Sequence, residues 1–493
     1  MPHHLDAFAS ATEMLHALRA RHISAVELLE LHSRRIKRYN PQLNAIVTPN
    51  YDKARQVAAQ ANAARAQGED RPLLGLPLTI KDCIYVEGLP TTGGVPERAE
   101  AIAEEDAPVA ARVRAAGGVI MGKTNVPPYA ADYQSFNPLF GRSDNPWDLS
   151  RTPGGSTGGG AAAVAAGLTP LEFGGDFAGS IRVPAAFCGV YGHKTSETAV
   201  PRRGHFPGPN TPNAVTAMAV QGPLARSAED LALAFDAIAG PDVGEGVAWR
   251  LEVPPARHER LADYRVAVLP PIEWLPVDAE ITAALDRLAA QLGRAGARVE
   301  EIQPEAFGDL RDYYRTYISI MCAMSSTGRP REACHEEAEA IRRSTDAFDA
   351  LASADGLEAS ASDYIIWFGR REHYRAALRA FFEQWDVLLT PANIVNAFSH
   401  TDAPYDERRL DVNGETVKYD RQMLYPSLGN LSGCPATVFP AGLTQSGLPI
   451  GPYLEDRTPI RFAGLVARES GGFRRPPGYD ADEVEYVWYP LSS

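Results

Sequence analysis

Amphipathic helical segments alternate with short apolar runs along almost the whole chain, and no other feature constrains the fold as strongly. The periodicity predicts helices over 9–20, 23–39, 51–67, 107–116, 158–166, 227–239, 278–294, 310–326, 331–352 and 362–384. Strands are predicted over 73–80, 118–122, 170–174, 264–269, 297–302, 386–390 and 436–441. Such interleaving implies an α/β class with a mixed, partly parallel sheet. The 493 residues, 45 % of them hydrophobic, suffice for one large α/β unit or for several smaller domains. Two stretches interrupt the pattern: a Pro/Gly/Asn-rich loop at 199–213, and a long helical segment at 303–384 rich in aromatics. Aromatics at helical spacing are usually core. Tyr313, Tyr317, Tyr364 and Trp367 are nevertheless the chain's best substrate-pocket candidates.

A formal charge of −14 argues against a nucleic-acid partner, which needs a basic face to neutralise phosphates. No apolar run reaches the roughly eighteen residues of a membrane span, so no membrane partner is expected. The five cysteines, Cys83, Cys188, Cys322, Cys334 and Cys434, are odd in number, far apart and without a CxxC pair. That speaks against a disulfide framework or a zinc site and for a reducing cytoplasmic compartment. Residues 1–40 are charged and helical in period throughout, unlike a signal peptide, and read as two amphipathic helices, the candidate surface of a homodimer.

Lysine is rare: six lysines stand against forty-two arginines. Arginine stays protonated in proteins, whereas a desolvated lysine can lose its proton and serve as a base, so a lysine inside a structured stretch raises a question of chemistry. Lys81 is such a residue, directly after the apolar run LLGLPLTI and before Asp82. Taken alone, a lysine at a strand end is most simply half of an ion pair.

The stretch RTPGGSTGGGAAAVAAG, 151–167, sets Ser156 and Thr157 among glycines ahead of an alanine-rich helix. Positions 154–158 fit the G-x-S-x-G pattern of hydrolase elbows, and GGVIMGKT at 117–124 fits the phosphate-loop pattern. A phosphate loop needs a strand before its first glycine and a helix after its lysine. Here the helix comes first and Asn125-Val126-Pro127-Pro128 forbids one afterwards. An elbow serine follows an apolar strand, but NPWDLSRTP is polar and turn-like, and nothing marks His193, His205 or His400 as its partner. A second serine stands better: PLEFGGDFAGSIRVPAAFCGVYGHKTS, 170–196, carries an apolar run into a Gly-rich turn that delivers Ser180. Successive N–H groups in such a turn can converge on a developing oxyanion. A nucleophile there still needs a proton acceptor, and no histidine is near in sequence.

The blocks GLPLTIKDCIYVEGLPTTGG (75–94), SRTPGGSTGGGAAAVAAGLTPLEFGGDFAGSIRVPAAFCGVYGHK (150–194), GPLARSAEDLALAFDAIAG (222–240), DVLLTPA (386–392) and PATVFPAGLTQSGLPIG (435–451) resemble the amidase signature family. The likeness spans most of the chain and is most specific where both serines, their glycines and the following Ile-Arg-x-Pro-Ala match together. It implies one α/β/α domain over 1–493 and a Ser–cis-Ser–Lys triad: nucleophile Ser180, bridging Ser156 after a cis bond from Gly155, and base Lys81. Phe177, Ala178, Gly179 and Ser180 would supply the oxyanion hole, with Gly155, Thr157, Asp176 and Arg182 in support. No metal and no cofactor is implied.

Four departures stand out against the family pattern. Ala178 replaces a usual glycine, Gly175 a common threonine, and Thr157 a second serine. LPIGPYLEDRT, 448–458, lacks about five apolar residues of a usual strand, which questions the second arm of a hairpin. The expected activity is hydrolysis of small-molecule amides, with esters and carbamates as further substrates. The alternatives are the amidase subunit of a tRNA-dependent amidotransferase, whose usual GLKPTYGRVSRYG differs from GHKTSETAVPRRG here, and an idle binding protein that keeps the fold.

Overall fold

The computed structural model describes residues 4–207, 217–303, 305–345, 347–442, 445–450, 453–479 and 483–485. Its frame is one eleven-stranded sheet. In chain order the strands are β1 (Ile46–Pro49), β2 (Pro77–Lys81), β3 (Val119–Thr124), β4 (Leu171–Asp176), β5 (Tyr191–Lys194), β6 (Val220–Ala225), β7 (Arg265–Val268), β8 (Arg298–Glu301), β9 (Val387–Pro391), β10 (Ala436–Gly442) and β11 (Gln445–Ile450). Across the sheet the order is β8-β7-β9-β11-β10-β5-β6-β4-β2-β3-β1. β2 runs parallel to β3 and β4, and β7 to β8 and β9; the remaining pairs are antiparallel, so the sheet is mixed as the α/β pattern requires. Every residue of β2, β3, β4, β5, β6 and β9 is buried. At one edge β8 reads RVEE and turns its charges to solvent, which discourages further pairing.

Helix starts follow their caps. Ser10 and Glu13 form a capping box before the helix Ala11–Arg19, and Ser24 and Glu27 do so before Ala25–Leu43, each pair satisfying backbone N–H groups that no helix turn can reach. The apolar faces of these helices (Met14, Leu15 and Leu18; Leu28, Leu29 and Ile36) are buried in this chain's own core, so a second copy would meet their polar sides. The alanine-rich helix Gly158–Ala165 is buried along its whole length, which only residues no larger than valine allow so close to the sheet.

Three expectations change. The predicted helix 331–352 is two, Arg331–Ser344 and Phe348–Leu357, because Thr345 is extended and its hydroxyl accepts the Ala347 N–H at 3.1 Å in place of a helical bond. The hairpin's second arm exists: β11 pairs with β10 on one side and β9 on the other, while residues 451–452 lie outside the described residues. β1, β5 and β6 are strands that the periodicity does not single out. Of the predicted loop 199–213, residues 208–213 lie outside the described residues.

Candidate active site

β2 lies between two parallel neighbours, so three strands end together at one edge of the sheet, where α/β proteins collect their ligands. Lys81 is the last residue of β2 and is buried. Its Nζ donates to Ser156 Oγ at 2.7 Å and to the Gly175 carbonyl at 3.5 Å. Asp82 does not pair with it; Asp82 pairs with the equally buried Lys123 at 3.0 Å and accepts the Thr92 hydroxyl. The ordinary reading of a strand-end lysine therefore belongs to Lys123, which also removes the phosphate-loop reading of GGVIMGKT. Burial pushes the Lys81 pKa down, with Cys83, Asp176 and Glu172 opposing and Arg202 assisting.

Ser156 arrives through a cis bond from Gly155. A Cβ on Gly155 would stand 2.2 Å from the Asp132 carbonyl oxygen, so no other residue fits there. Thr157 ties this segment to β4 and its turn: its N–H donates to the Ser180 carbonyl at 3.1 Å and its hydroxyl to the Gly175 carbonyl at 3.5 Å. The Thr157 methyl lies where a side chain on Gly174 would be, which accommodates threonine in place of serine.

From β4 the chain turns through 177–181 into the helix Arg182–Cys188, and Asp176 shapes that turn. Its carboxylate accepts the N–H groups of Gly179 at 3.0 Å and Ile181 at 3.2 Å, and Asn430 Nδ2 at 3.1 Å. Arg182 grips it with Nε and Nη2 and reaches on to the Pro426 carbonyl and Asn430 Oδ1. Gly179 holds φ +95°, a conformation that side chains disfavour. The Gly179 N–H donates to Asp176, while those of Phe177, Ala178 and Ser180 show no backbone partner among the described residues. Two tyrosines fix the turn from outside, Tyr133 by donating to the Ala178 carbonyl at 2.5 Å and Tyr317 to the Phe177 carbonyl at 3.0 Å. Ser180 remains slightly accessible, at 9 % exposure against 1 % for Ser156.

Of the four pocket aromatics, Tyr317 hydrogen-bonds the turn that carries Ser180. Tyr313 is sealed in the core with its hydroxyl on the Leu428 carbonyl, and half-buried Tyr364 packs on Phe368, while Trp367 is half-buried on the same helix. Tyr313 and Tyr364 are engaged in packing, and Tyr317 holds the turn. Tyr133 and Asn430 lie outside the motifs quoted above, and the residues next to Glu172 and His205 carry no signal of what each of these two side chains meets. His205 explains Gly175: a Cβ there would stand 2.4 Å from His205 Nε2, which also meets Cys83 Sγ at 3.3 Å. His193 is bonded to Thr437 and Asp456, far from a role beside Ser156. Among the described residues, no three His, Cys, Asp or Glu side chains converge as a metal site requires, and no helix is long and apolar enough to cross a membrane.

Comparison with known proteins agrees in sequence and in shape. The chain is 32 % identical over 452 residues to indoleacetamide hydrolase of Bradyrhizobium diazoefficiens, covering 90 % of this chain and 82 % of that one. It is 32 % identical over 481 residues to a glutamyl-tRNA(Gln) amidotransferase subunit of Thermus thermophilus, covering 91 % and 96 %. A bacterial aryl acylamidase of the amidase signature family superposes with a TM-score of 0.77 at 26 % identity, over 94 % of this chain and 96 % of that one. The Amidase family profile matches residues 27–454, and the chain belongs to the amidase signature family of amide hydrolases.

Proposed function

We propose that this chain is a serine amidase in which Ser180 is the nucleophile, Ser156 the proton relay and Lys81 the base. The observation that carries the reading is the 2.7 Å hydrogen bond between Lys81 Nζ and Ser156 Oγ, two buried groups. Neutral Lys81 takes the Ser156 proton as Ser156 takes that of Ser180, and Ser180 Oγ forms a bond to the substrate carbonyl carbon. The carbonyl oxygen, now negative, is met by the N–H groups of Phe177, Ala178 and Ser180. The C–N bond breaks, the leaving amine receives the proton back through Ser156, and water repeats the sequence on the acyl-enzyme. One catalytic unit spans the chain in this reading, because a single sheet draws strands from residue 46 to residue 450.

For substrate, we infer a small amide with an aryl or otherwise apolar group, in keeping with the names of the indoleacetamide hydrolase and aryl acylamidase relatives. A role in transamidation is less well supported: GHKTSETAVPRRG, 192–204, leaves the usual pattern of amidotransferase subunits, and His205, which follows it, packs against Gly175 beside Lys81. A fluorophosphonate tests the assignment of roles. One adduct is expected, on Ser180, with labelling slowed greatly by Ser156→Ala and by Lys81→Ala. An adduct on Ser156, or none, would overturn the triad, and a panel of aryl amides, aliphatic amides, esters and carbamates would rank the substrate class.

A further inference from the structure

Glu172 is an ionisable group beside Lys81 that the reaction above leaves unused. In the parallel pairing of β2 with β4, Thr79 stands opposite Glu172, and in that of β2 with β3, Lys81 stands opposite Thr124. Side chains alternate along a strand, so Thr79, Lys81, Glu172 and Thr124 share one face, with Lys81 about 7 Å further along than Thr79. Glu172 is fully buried there; its Oε1 accepts the Thr124 hydroxyl at 2.6 Å, and its Oε2 has no partner among the described residues. The helix Gly158–Ala165 closes over it. A Cβ on Gly160 would stand 2.5 Å from Glu172 Cγ and 2.6 Å from Oε1, so a glycine inside a helix keeps room for this carboxyl. A buried carboxyl with an unsatisfied oxygen is costly unless a charge answers it.

We propose that Glu172 is a positioning residue for the base: from the neighbouring strand its carboxylate holds the proton on Lys81, and neutralising that carboxyl frees the amine to accept the proton of Ser156. The inference rests on Lys81 being the base. Other charges near Lys81 are already engaged or absent. Asp176 is bound by Arg182, Asp82 by Lys123, and the helix over this face brings only glycine, alanine and valine. From the loop side, Arg202 repels the charged amine, burial keeps the Cys83 thiol protonated, and burial, with Arg202 and Lys81, holds His205 neutral. Glu172 itself is pushed by burial up to about 7, against the Thr124 and Thr79 hydroxyls and Lys81, so its charge changes close to neutral pH.

The test is kcat/KM for an aryl amide against pH. Glu172→Gln keeps the shape and removes the charge, and the rising limb is expected to move to lower pH by about one unit. Thr124→Val removes the hydroxyl that steadies the carboxylate; it should move the limb the same way by less, and add no further shift in the Glu172→Gln background. Thr124→Val carries the test if Glu172→Gln fails to fold, judged by its circular dichroism. An even loss of activity across pH with an unmoved limb, the mark of a structural role, overturns the proposal. Failure of the underlying reading looks different: Lys81→Ala would then keep its activity, whereas an inactive Lys81→Ala with an unmoved Glu172→Gln limb sinks this inference alone.

Discussion

Arg182 grips both carboxylate oxygens of Asp176, at 2.8 and 2.9 Å, in a pair fully buried behind the turn that carries Ser180. Asp176→Asn leaves a guanidinium without its counter-charge, and should cost about 3–5 kcal/mol in denaturant unfolding. It also weakens the acceptor that fixes the Gly179 and Ile181 N–H groups, so kcat/KM should fall by about a hundredfold or more. Near-normal stability and rate in this variant would show that the pair does not shape the turn. Burial alone would raise the Asp176 pKa, but the Arg182 guanidinium beside it holds the carboxyl well below the usual range. Since the folded value is the depressed one, the pair contributes fully above the unfolded value of about 3.9 and fades as pH falls through the folded value. The fold around Ser180 should therefore lose stability progressively below about pH 4, as a near-ultraviolet dichroism titration would record.

Lys81→Arg should be nearly as damaging as Lys81→Ala. The reaction needs a group that releases and accepts a proton, and arginine keeps its own. Retention of more than about a tenth of kcat/KM by Lys81→Arg, a loss under about 1.4 kcal/mol, would dismiss the base role. Burial lowers the Lys81 pKa, so its neutral form, and with it kcat/KM, should rise with pH earlier than for an exposed lysine. In a double-mutant cycle, Lys81→Ala with Ser156→Ala should be little worse than either change alone if the two form the proposed relay, whose members act as a unit.

How much of this is legible in the sequence depends on where the information sits. β2, β3 and β4 are visible because their residues are buried on both faces and read as apolar runs. β5, reading YGHK, is not visible, since its histidine and lysine are satisfied by distant partners: Asp456 and Thr437 hold His193, and the Cys434 carbonyl receives Lys194. The glycines around Ser156 and Ser180 announce a tight site, yet not what each one avoids. The clash that a side chain at 155 would make with Asp132, or one at 160 with Glu172, arises only once the chain is folded. Likewise nothing local to Tyr133 or Asn430 tells that they end on the turn after β4, because their sequence separations from it are long.

Tyr133→Phe and Tyr317→Phe test the outer support of that turn. Each removes one hydrogen bond to a carbonyl, of Ala178 or Phe177, without opening a cavity. A net loss of about 0.5–1.5 kcal/mol in transition-state stabilisation is expected for each, falling mainly on kcat. Changes confined to KM would mean that these tyrosines meet the substrate and do not position the N–H groups.

The contact of Gly175 with His205 yields the last prediction. A Cβ at position 175 would fall 2.4 Å from His205 Nε2, and the Gly175 carbonyl accepts from Lys81, so a side chain there must displace either the imidazole or Lys81. Gly175→Ala should therefore lower kcat/KM by about tenfold or more, as expected when an overpacked interior shifts a reacting group. His205→Ala alone leaves room beside Lys81, admits water and relaxes the desolvation that lowers the lysine pKa, so its rising pH limb should move to higher pH. The two changes together exchange a large and a small side chain across one contact. Gly175→Ala with His205→Ala should recover much of the activity lost in Gly175→Ala, a coupling that residues in direct contact show and distant ones do not. Strictly additive losses would mean that the imidazole does not occupy the space the absent side chain leaves.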